Sequence, residues 1–324
     1  MRFLLSTEQR DFGAGLDALL TAADVPAVIR ARAAGDPAPL RALWKRLAAS
    51  DLFALAVPER FTGTGLMPLE LALACVELGR HAVPGPLAES FAASVLLDGT
   101  PLAAELLPRV AAGDAVLTLA LPAESPYAAD PDLADAVLTV DGGVLHTAAG
   151  HGPLRPSLDP ARLLARPGPL TRVAAVDPER ATAVAVLCTA ALALGAGRRL
   201  LAATAAYAAT RVQFGSPIGG FQAVKHRLAD VLLRLEFAEP LLHAAALDLT
   251  GPDLHAAKAA CGDAGYAAAR AALQLHGAIG YTDEFDLSLW IRRARVLRSA
   301  WGSPSACRRL VLDARKGTTG PLVR

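Results

Sequence analysis

From the first residues to about position 110, Leu, Ala and Val recur at the three- and four-residue spacing of helices with one buried face. Pro and Gly break the pattern at intervals. STEQRDF opens the first helix: Ser6 or Thr7 can cap it, and Glu8 and Asp11 sit near its positive end. PERFTGTGL at 58–66 is a Gly-rich loop between helices, and ACVELGRHAVPGPLAES at 74–90 is a helix running into a Pro-Gly-Pro turn. Between 111 and 178 the period shortens. AVLTLALPAE, ADAVLTVDGGVLHTAA and LTRVAAVD are short β-branched runs, and Asp141-Gly142-Gly143 is a hairpin turn. From 179 onward long Ala/Leu helices return, the first ending near Arg211. The pattern predicts a mainly α protein with a small β domain: helices over 1–110, strands over 111–178 and helices over 179–324. No repeat of solenoid period interrupts that order.

Composition narrows the partners. The chain has 324 residues, 53% hydrophobic and 19% charged, a size at which two or three subdomains share one interior. Lys+Arg 32 against Asp+Glu 31 leaves a net charge of +1, which offers no basic surplus for nucleic acid or an anionic membrane. Cys75, Cys188, Cys261 and Cys307 are scattered, without metal-ligand spacing or the density of a disulfide scaffold. MRFLLSTEQRDF is too short in its apolar run for a signal peptide, and no segment reads as long and charge-free enough to span a bilayer. A cytoplasmic protein is expected.

Two stretches carry chemistry. RVQFGSPIGGFQAVKHRLAD at 211–230 stops one helix at a Gly- and Pro-rich break and starts another at once. Arg211, Gln213 and Phe214 fall at the end of the first helix, with Phe221 and Gln222 at the start of the second. A guanidinium beside a helix N-terminus suits a phosphate, and Phe214 or Phe221 could cover an adenine face. The plainer alternative has Arg211 neutralising a helix C-terminus and both Phe residues in the core. The other stretch is QLHGAIGYTDEFDLSLWIRRARVLR at 274–298. Gly277 and Gly280 flank a sharp turn, Thr282 is set to cap a new helix, and Asp283 and Glu284 fall in its first turn. Gln274 offers a donor and an acceptor beside a glycine turn that lets a planar ligand approach the backbone. Arg292, Arg293 and Arg295 read as a solvated or partner-facing side.

Together, R-x-Q-F-G-x-P-I-x-x-F-Q-x-x-K-H-x-L-A-D and Q-x-H-G-x-x-G-Y-T-x-E resemble the acyl-CoA dehydrogenase family. STEQRDF, PERFTGTGL and ELGR at 77–80 resemble its N-terminal domain, and the β insert and final helices fall in its order. The resemblance implies a helical N-terminal domain, a shortened β-barrel-like middle domain and a C-terminal four-helix bundle. It also implies FAD at a subunit interface and oxidation of an acyl-CoA or other acyl thioester to its trans-2-enoyl form. Arg211 and Gln213 would hold the FAD pyrophosphate, with Phe214 and Phe221 near the adenine and Gln222 in the same site. Gln274, Leu275, His276, Gly277 and Ala278 would line the FAD of a neighbouring subunit, and Ser303 would belong to the cofactor site.

The departures from the family pattern matter as much. Many members carry a catalytic Glu before a Gly after the helix at 287–298; here the stretch is RSAWGSPS, with Trp301 at that position. An indole has no basic lone pair with which to take a proton. The alternative family location, in TAVAVLCTAALALGAG at 182–197, has no carboxylate, and Val186 stands where an Arg usually helps hold the CoA adenine. The segment that covers the flavin is reduced to ALPAESPYAAD, with Glu124 and Ser125 as its remnants. This pattern resembles the base-less subunit of heterotetrameric members, including those acting on steroid side chains. A homo- or hetero-dimer or tetramer with another such subunit is expected. The alternatives are a self-sufficient enzyme using Glu284 or Asp286 as base, or a helical scaffold that has lost its flavin.

Overall fold

The computed structural model describes residues 4–122 and 125–318. Its helical N-terminal part comprises α1 (Thr7–Thr21), α2 (Val25–Ala33), α3 (Ala38–Ala48), α4 (Pro68–Arg80), α5 (Leu87–Leu97) and α6 (Ala103–Ala111). Ser6 caps α1 reciprocally. Its Oγ accepts the Gln9 N–H at 3.2 Å, and Gln9 Oε1 accepts the Ser6 N–H at 2.9 Å, so two otherwise orphaned donors are satisfied. Trp44 stacks on Phe53 at 4.5 Å, and Phe53 meets Phe91 at 5.8 Å, which pins α3 and α5 around one aromatic centre.

The middle part holds β1 (Leu117–Ala120), β2 (Ala128–Ala129), β3 (Ala136–Asp141), β4 (Val144–Ala148), β5 (Arg155–Pro156), β6 (Leu163–Ala165) and β7 (Leu170–Ala175). They form a four-stranded sheet, β1-β3-β4-β7, and a three-stranded sheet, β2-β6-β5. β1 runs parallel to β3, and β3 turns into β4 through Gly142 and Gly143. Both glycines have positive φ, 55° and 75°, the conformation that a tight two-residue hairpin demands.

The C-terminal part comprises α7 (Glu179–Thr210), a two-residue-strand hairpin of β8 (Val212–Gln213) and β9 (Ser216–Pro217), α8 (Gln222–Leu247), α9 (Pro252–His276), α10 (Leu287–Leu297) and α11 (Pro304–Thr318). α7 is the hub, packed against α4, α5, α8, α9 and α10. Small residues allow this. A Cβ on Gly197 would stand 2.9 Å from the Gly265 Cα of α9, and one on Gly195 would stand 2.8 Å from the Arg80 amide nitrogen of α4. The Ala-rich run TAALALGAG thus serves close helix packing.

Three expectations need correction. By length and composition α7 could cross a membrane, with mean hydropathy 1.6 over its apolar window, because its few charges are confined to 179–180 and 198–199. However, 83% of the window is buried by neighbouring helices. Thr282 caps no helix: its hydroxyl returns to the Ile279 carbonyl at 2.9 Å, and α10 begins only at Leu287. Arg293 is buried rather than solvated. It donates to the Ala82 carbonyl at 3.0 Å and lies 3.4 Å from Asp159. A second buried ion set, Arg32 with Asp132 at 2.7 Å and Asp130 at 3.2 Å, also joins the helices to the strand region. Charge removed from water in this way needs such multiple partners.

Candidate functional site

α7, α8 and α9 run up, down and up, so the C-termini of α7 and α9 and the N-terminus of α8 meet at one end of the bundle. Past Thr210 the chain forms the β8–β9 hairpin, with Val212 opposite Pro217 and Gln213 opposite Ser216. Its two turn residues, Phe214 and Gly215, have φ of 53° and 81°. Positive φ is ordinary for the glycine and costs a bulky Phe about 1 kcal/mol or more. That strained ring is 93% exposed, and its edge faces Phe221 at 6.1 Å. Arg211, Gln213 and Gln222 are exposed beside it, and among the described residues the Arg211 guanidinium has no hydrogen-bond or ion-pair partner.

The second motif reaches the same place. α9 ends at His276, and Gly277 breaks the helix with φ of 64°. His276 stacks on Tyr207 of α7 at 4.1 Å and lies 5.1 Å from Phe285. Its Nδ1 donates to the Ala272 carbonyl at 2.8 Å, and burial pushes its pKa down, so it is a neutral ring that locks the two motifs together. Gln274, Gly277 and Ala278 are exposed and Leu275 is half-buried. The structure thus brings the exposed Arg211, Gln213, Phe214, Phe221 and Gln222 to the same end of the bundle as Gln274, Gly277 and Ala278, with His276 buried beneath and Leu275 half-buried.

Ser303 and Trp301 lie elsewhere, in the turn between α10 and α11. Trp301 has φ of 53° and Gly302 of 112°, and the turn is held from beneath by Lys258 of α9. The Lys258 ammonium is fully buried and donates to the carbonyls of Leu297 (3.0 Å), Arg298 (3.2 Å) and Gly302 (3.1 Å); burial pushes its pKa down to about 8. Lys258 and His276 share α9, whose rise puts this turn roughly 27 Å from the exposed surface described above. Ser303 caps α11, accepting the Ala306 N–H at 3.3 Å. Glu284 is exposed before the start of α10, at the opposite end of that helix from Trp301. Asp286 is paired with Arg30 at 2.6 Å.

Trp301 borders a cleft of about 690 Å³ between α5, the α10–α11 turn and the β sheets, lined also by Glu89, Ser125, Tyr127, Arg162 and Arg295. That volume is within the range that holds an organic cofactor or substrate. Glu124 falls outside the described residues. Val186 is buried in α7. Sequence reasoning missed three residues here: Glu89, Arg162 and Lys258. Glu89 is the sole charged residue in LAESFAASVLL, an otherwise apolar or small helix, and that isolation was its one local signal. It is buried, and its Oε1 accepts the Trp301 indole N–H at 3.0 Å, with an Arg162 nitrogen 3.7 Å away.

The chain thus combines a helical N-terminal part, a small β layer and a long-helix bundle, with a glycine-cornered surface at one end and a cleft at the other. Residues 6–114 match the model of the acyl-CoA dehydrogenase N-terminal domain, and residues 179–314 match that of the acyl-CoA dehydrogenase C-terminal domain. The chain is similar to the acyl-CoA dehydrogenase IpdE2 of Mycobacterium tuberculosis, 36% identical over 274 residues that cover 83% of this chain and 85% of that one. It is also similar to the acyl-CoA dehydrogenase FadE34 of the same organism, 34% identical over 78% of this chain but only 39% of the longer relative. It shares its fold with the ChsE4–ChsE5 complex of Mycobacterium tuberculosis: TM-score 0.81, 23% identity, 99% of this chain and 100% of that chain covered. A steroid ACAD of the Tcur3481–Tcur3483 pair has TM-score 0.84 at 24% identity, with 96% and 98% covered. The chain belongs to the acyl-CoA dehydrogenase family, whose members are oxidoreductases of CH–CH donors that ordinarily use FAD.

Proposed function

We propose that this chain is an FAD-binding subunit of an acyl-CoA dehydrogenase-like complex that takes part in α,β-desaturation of a fatty-acyl or steroid-derived thioester. It lacks a catalytic Glu at position 301 and works with a second subunit of the same family. The observation that carries this proposal is the Arg211 guanidinium, unpartnered among the described residues, beside the 93% exposed Phe214 with its strained backbone. A free guanidinium and a solvent-facing aromatic at a helix start suit a pyrophosphate and an adenine, and an isolated monomer gains nothing from exposing them. Arg211 and Gln213 would hold the FAD pyrophosphate, and Phe214 and Phe221 would flank the adenine. Gln222 and residues 274–278 would complete a site that the partner subunit also lines, with His276 holding their frame as a neutral stacked ring. FAD, when bound, accepts the β-hydride. Ser303 belongs to the other cleft, roughly 27 Å along α9, and is assigned to this chain's own cofactor side.

Two relatives are consistent with a partner. One similar structure is that of the ChsE4–ChsE5 complex. FadE34 is more than twice the length this chain matches. The test is co-expression with an acyl-CoA dehydrogenase-like subunit encoded beside it, followed by size-exclusion chromatography with an absorbance spectrum. A complex carrying flavin bands and reducing a ferrocenium acceptor with an acyl-CoA is the expected outcome. Flavin-free monomer under every pairing rejects the proposal.

A further inference from the structure

We propose that Glu89 is a general base in this chain's own cleft, one that removes the α-proton of an acyl thioester from a position neither family motif marks. The inference rests on the α,β-desaturation proposed above and concerns a different end of the molecule from the FAD-clamping surface.

Glu89 sits on α5, a helix otherwise made of apolar and small residues packed into the interior. A carboxylate there is costly unless it is held by hydrogen bonds or given a task. It has one firm partner. Oε1 accepts the Trp301 indole N–H at 3.0 Å, and Arg162 of the strand region approaches the same oxygen at 3.7 Å. Oε2 has no partner among the described residues, yet it is not among the buried polar atoms left unsatisfied. An unpaired oxygen that is not sealed is open to solvent, and Glu89 lines the 690 Å³ cleft. One oxygen is therefore anchored and the other is available.

The substitution at 301 gains a purpose from this arrangement. A second carboxylate at 301, beside Glu89, would force one of the pair to hold a proton. An indole instead supplies a donor without charge. It orients Glu89 through its N–H at 3.0 Å, with Arg162 at 3.7 Å from the same oxygen. Lys258 fixes the turn on which that donor stands, through its bonds to the carbonyls of Leu297, Arg298 and Gly302. In the step itself, Glu89 Oε2 takes the α-proton of the thioester. The freed C–H pair would form the α,β double bond, and FAD, when bound, would supply the acceptor for the β-hydride, leaving the enoyl thioester and a protonated Glu89.

The test separates proton removal from oxidation. Phenylacetyl-CoA has an acidic α-proton and no β-hydride to give, so its α-deuterium uptake in D2O, read by mass spectrometry, needs no flavin turnover. The protein, in its complex where one forms, is expected to catalyse that exchange. Glu89→Gln keeps an acceptor for the indole N–H and is expected to slow exchange by about a hundredfold or more, at unchanged FAD content and thermal midpoint. Glu89→Asp should restore part of the rate, and Trp301→Phe should slow exchange while leaving Glu89 in place. Absence of exchange by the parent protein overturns the proposal. So does exchange that survives in Glu89→Gln, including the case in which only a carboxylate variant of the partner abolishes it. FAD content, measured on the same samples, reports separately on the Arg211 surface.

Discussion

Gly195→Ala tests the packing that places both ends of the molecule. The residue lies in the middle of α7, where alanine is the better helix former by up to about 1 kcal/mol. A Cβ there would stand 2.8 Å from the Arg80 amide nitrogen and nearer still to the Val76 carbonyl oxygen, whereas ordinary van der Waals contact begins at 3.4 Å. Both groups are backbone of α4 and cannot rotate away, so the helices must part by at least several tenths of an ångström. Opening a packed seam by that amount forfeits a quarter to a half of the dispersion along it, and overpacking of this kind costs about 3 kcal/mol. Subtracting the propensity gain leaves a net loss of about 2 kcal/mol. Gly15→Ala is the control: it lies in α1 with nothing within 4 Å of the added methyl, and it should stabilise by about 0.5–1 kcal/mol. Urea denaturation of both variants at one protein concentration gives the comparison. If Gly195→Ala matches or exceeds Gly15→Ala in midpoint, the close approach of α4 and α7 is wrong.

Three further outcomes are expected. Arg211→Ala should weaken FAD binding roughly tenfold to a hundredfold, the worth of a charge-assisted phosphate contact, without moving the thermal midpoint of the flavin-free protein; flavin titration checks both. Phe214→Gly should leave the flavin-free chain as stable or more so, because positive φ suits glycine, while lowering flavin retention or complex formation. Lys258 has a native pKa of about 8, below its ordinary 10.5. Between those pH values the unfolded chain keeps a proton that the folded chain has shed. Stability should therefore rise with pH across that window by up to about 3 kcal/mol, and fall again as pH drops through 8. Lys258→Met should lack this rise, which denaturation midpoints of both proteins at pH 8 and pH 10 will show.

Features written in adjacent residues were legible in the sequence. The Ser6 cap, the Asp141-Gly142-Gly143 hairpin and the break at 211–222 each follow from local backbone rules. The convergence of Arg211 with Gln274 was legible only through family resemblance, since what unites them is the Tyr207–His276 stack between two helices. Glu89 was missed because its partner, Trp301, is 212 positions away, and no periodicity links them. Arg293 misled for a related reason. In a run of arginines one member turns inward to Asp159 and the Ala82 carbonyl, and spacing alone does not say which. Thr282 failed as a cap because the chain first makes a short 3-10 turn over Gly277–Tyr281, and Asp283 and Asp286 then pair with Arg292 and Arg30.

The rigid span of α9 has an evolutionary consequence. Substitutions separated by more than about 10 Å with no common neighbours act almost independently. A lineage could therefore rebuild the cleft around Trp301 without disturbing the exposed surface around Arg211, and the reverse, because neither end of the molecule has to wait for the other.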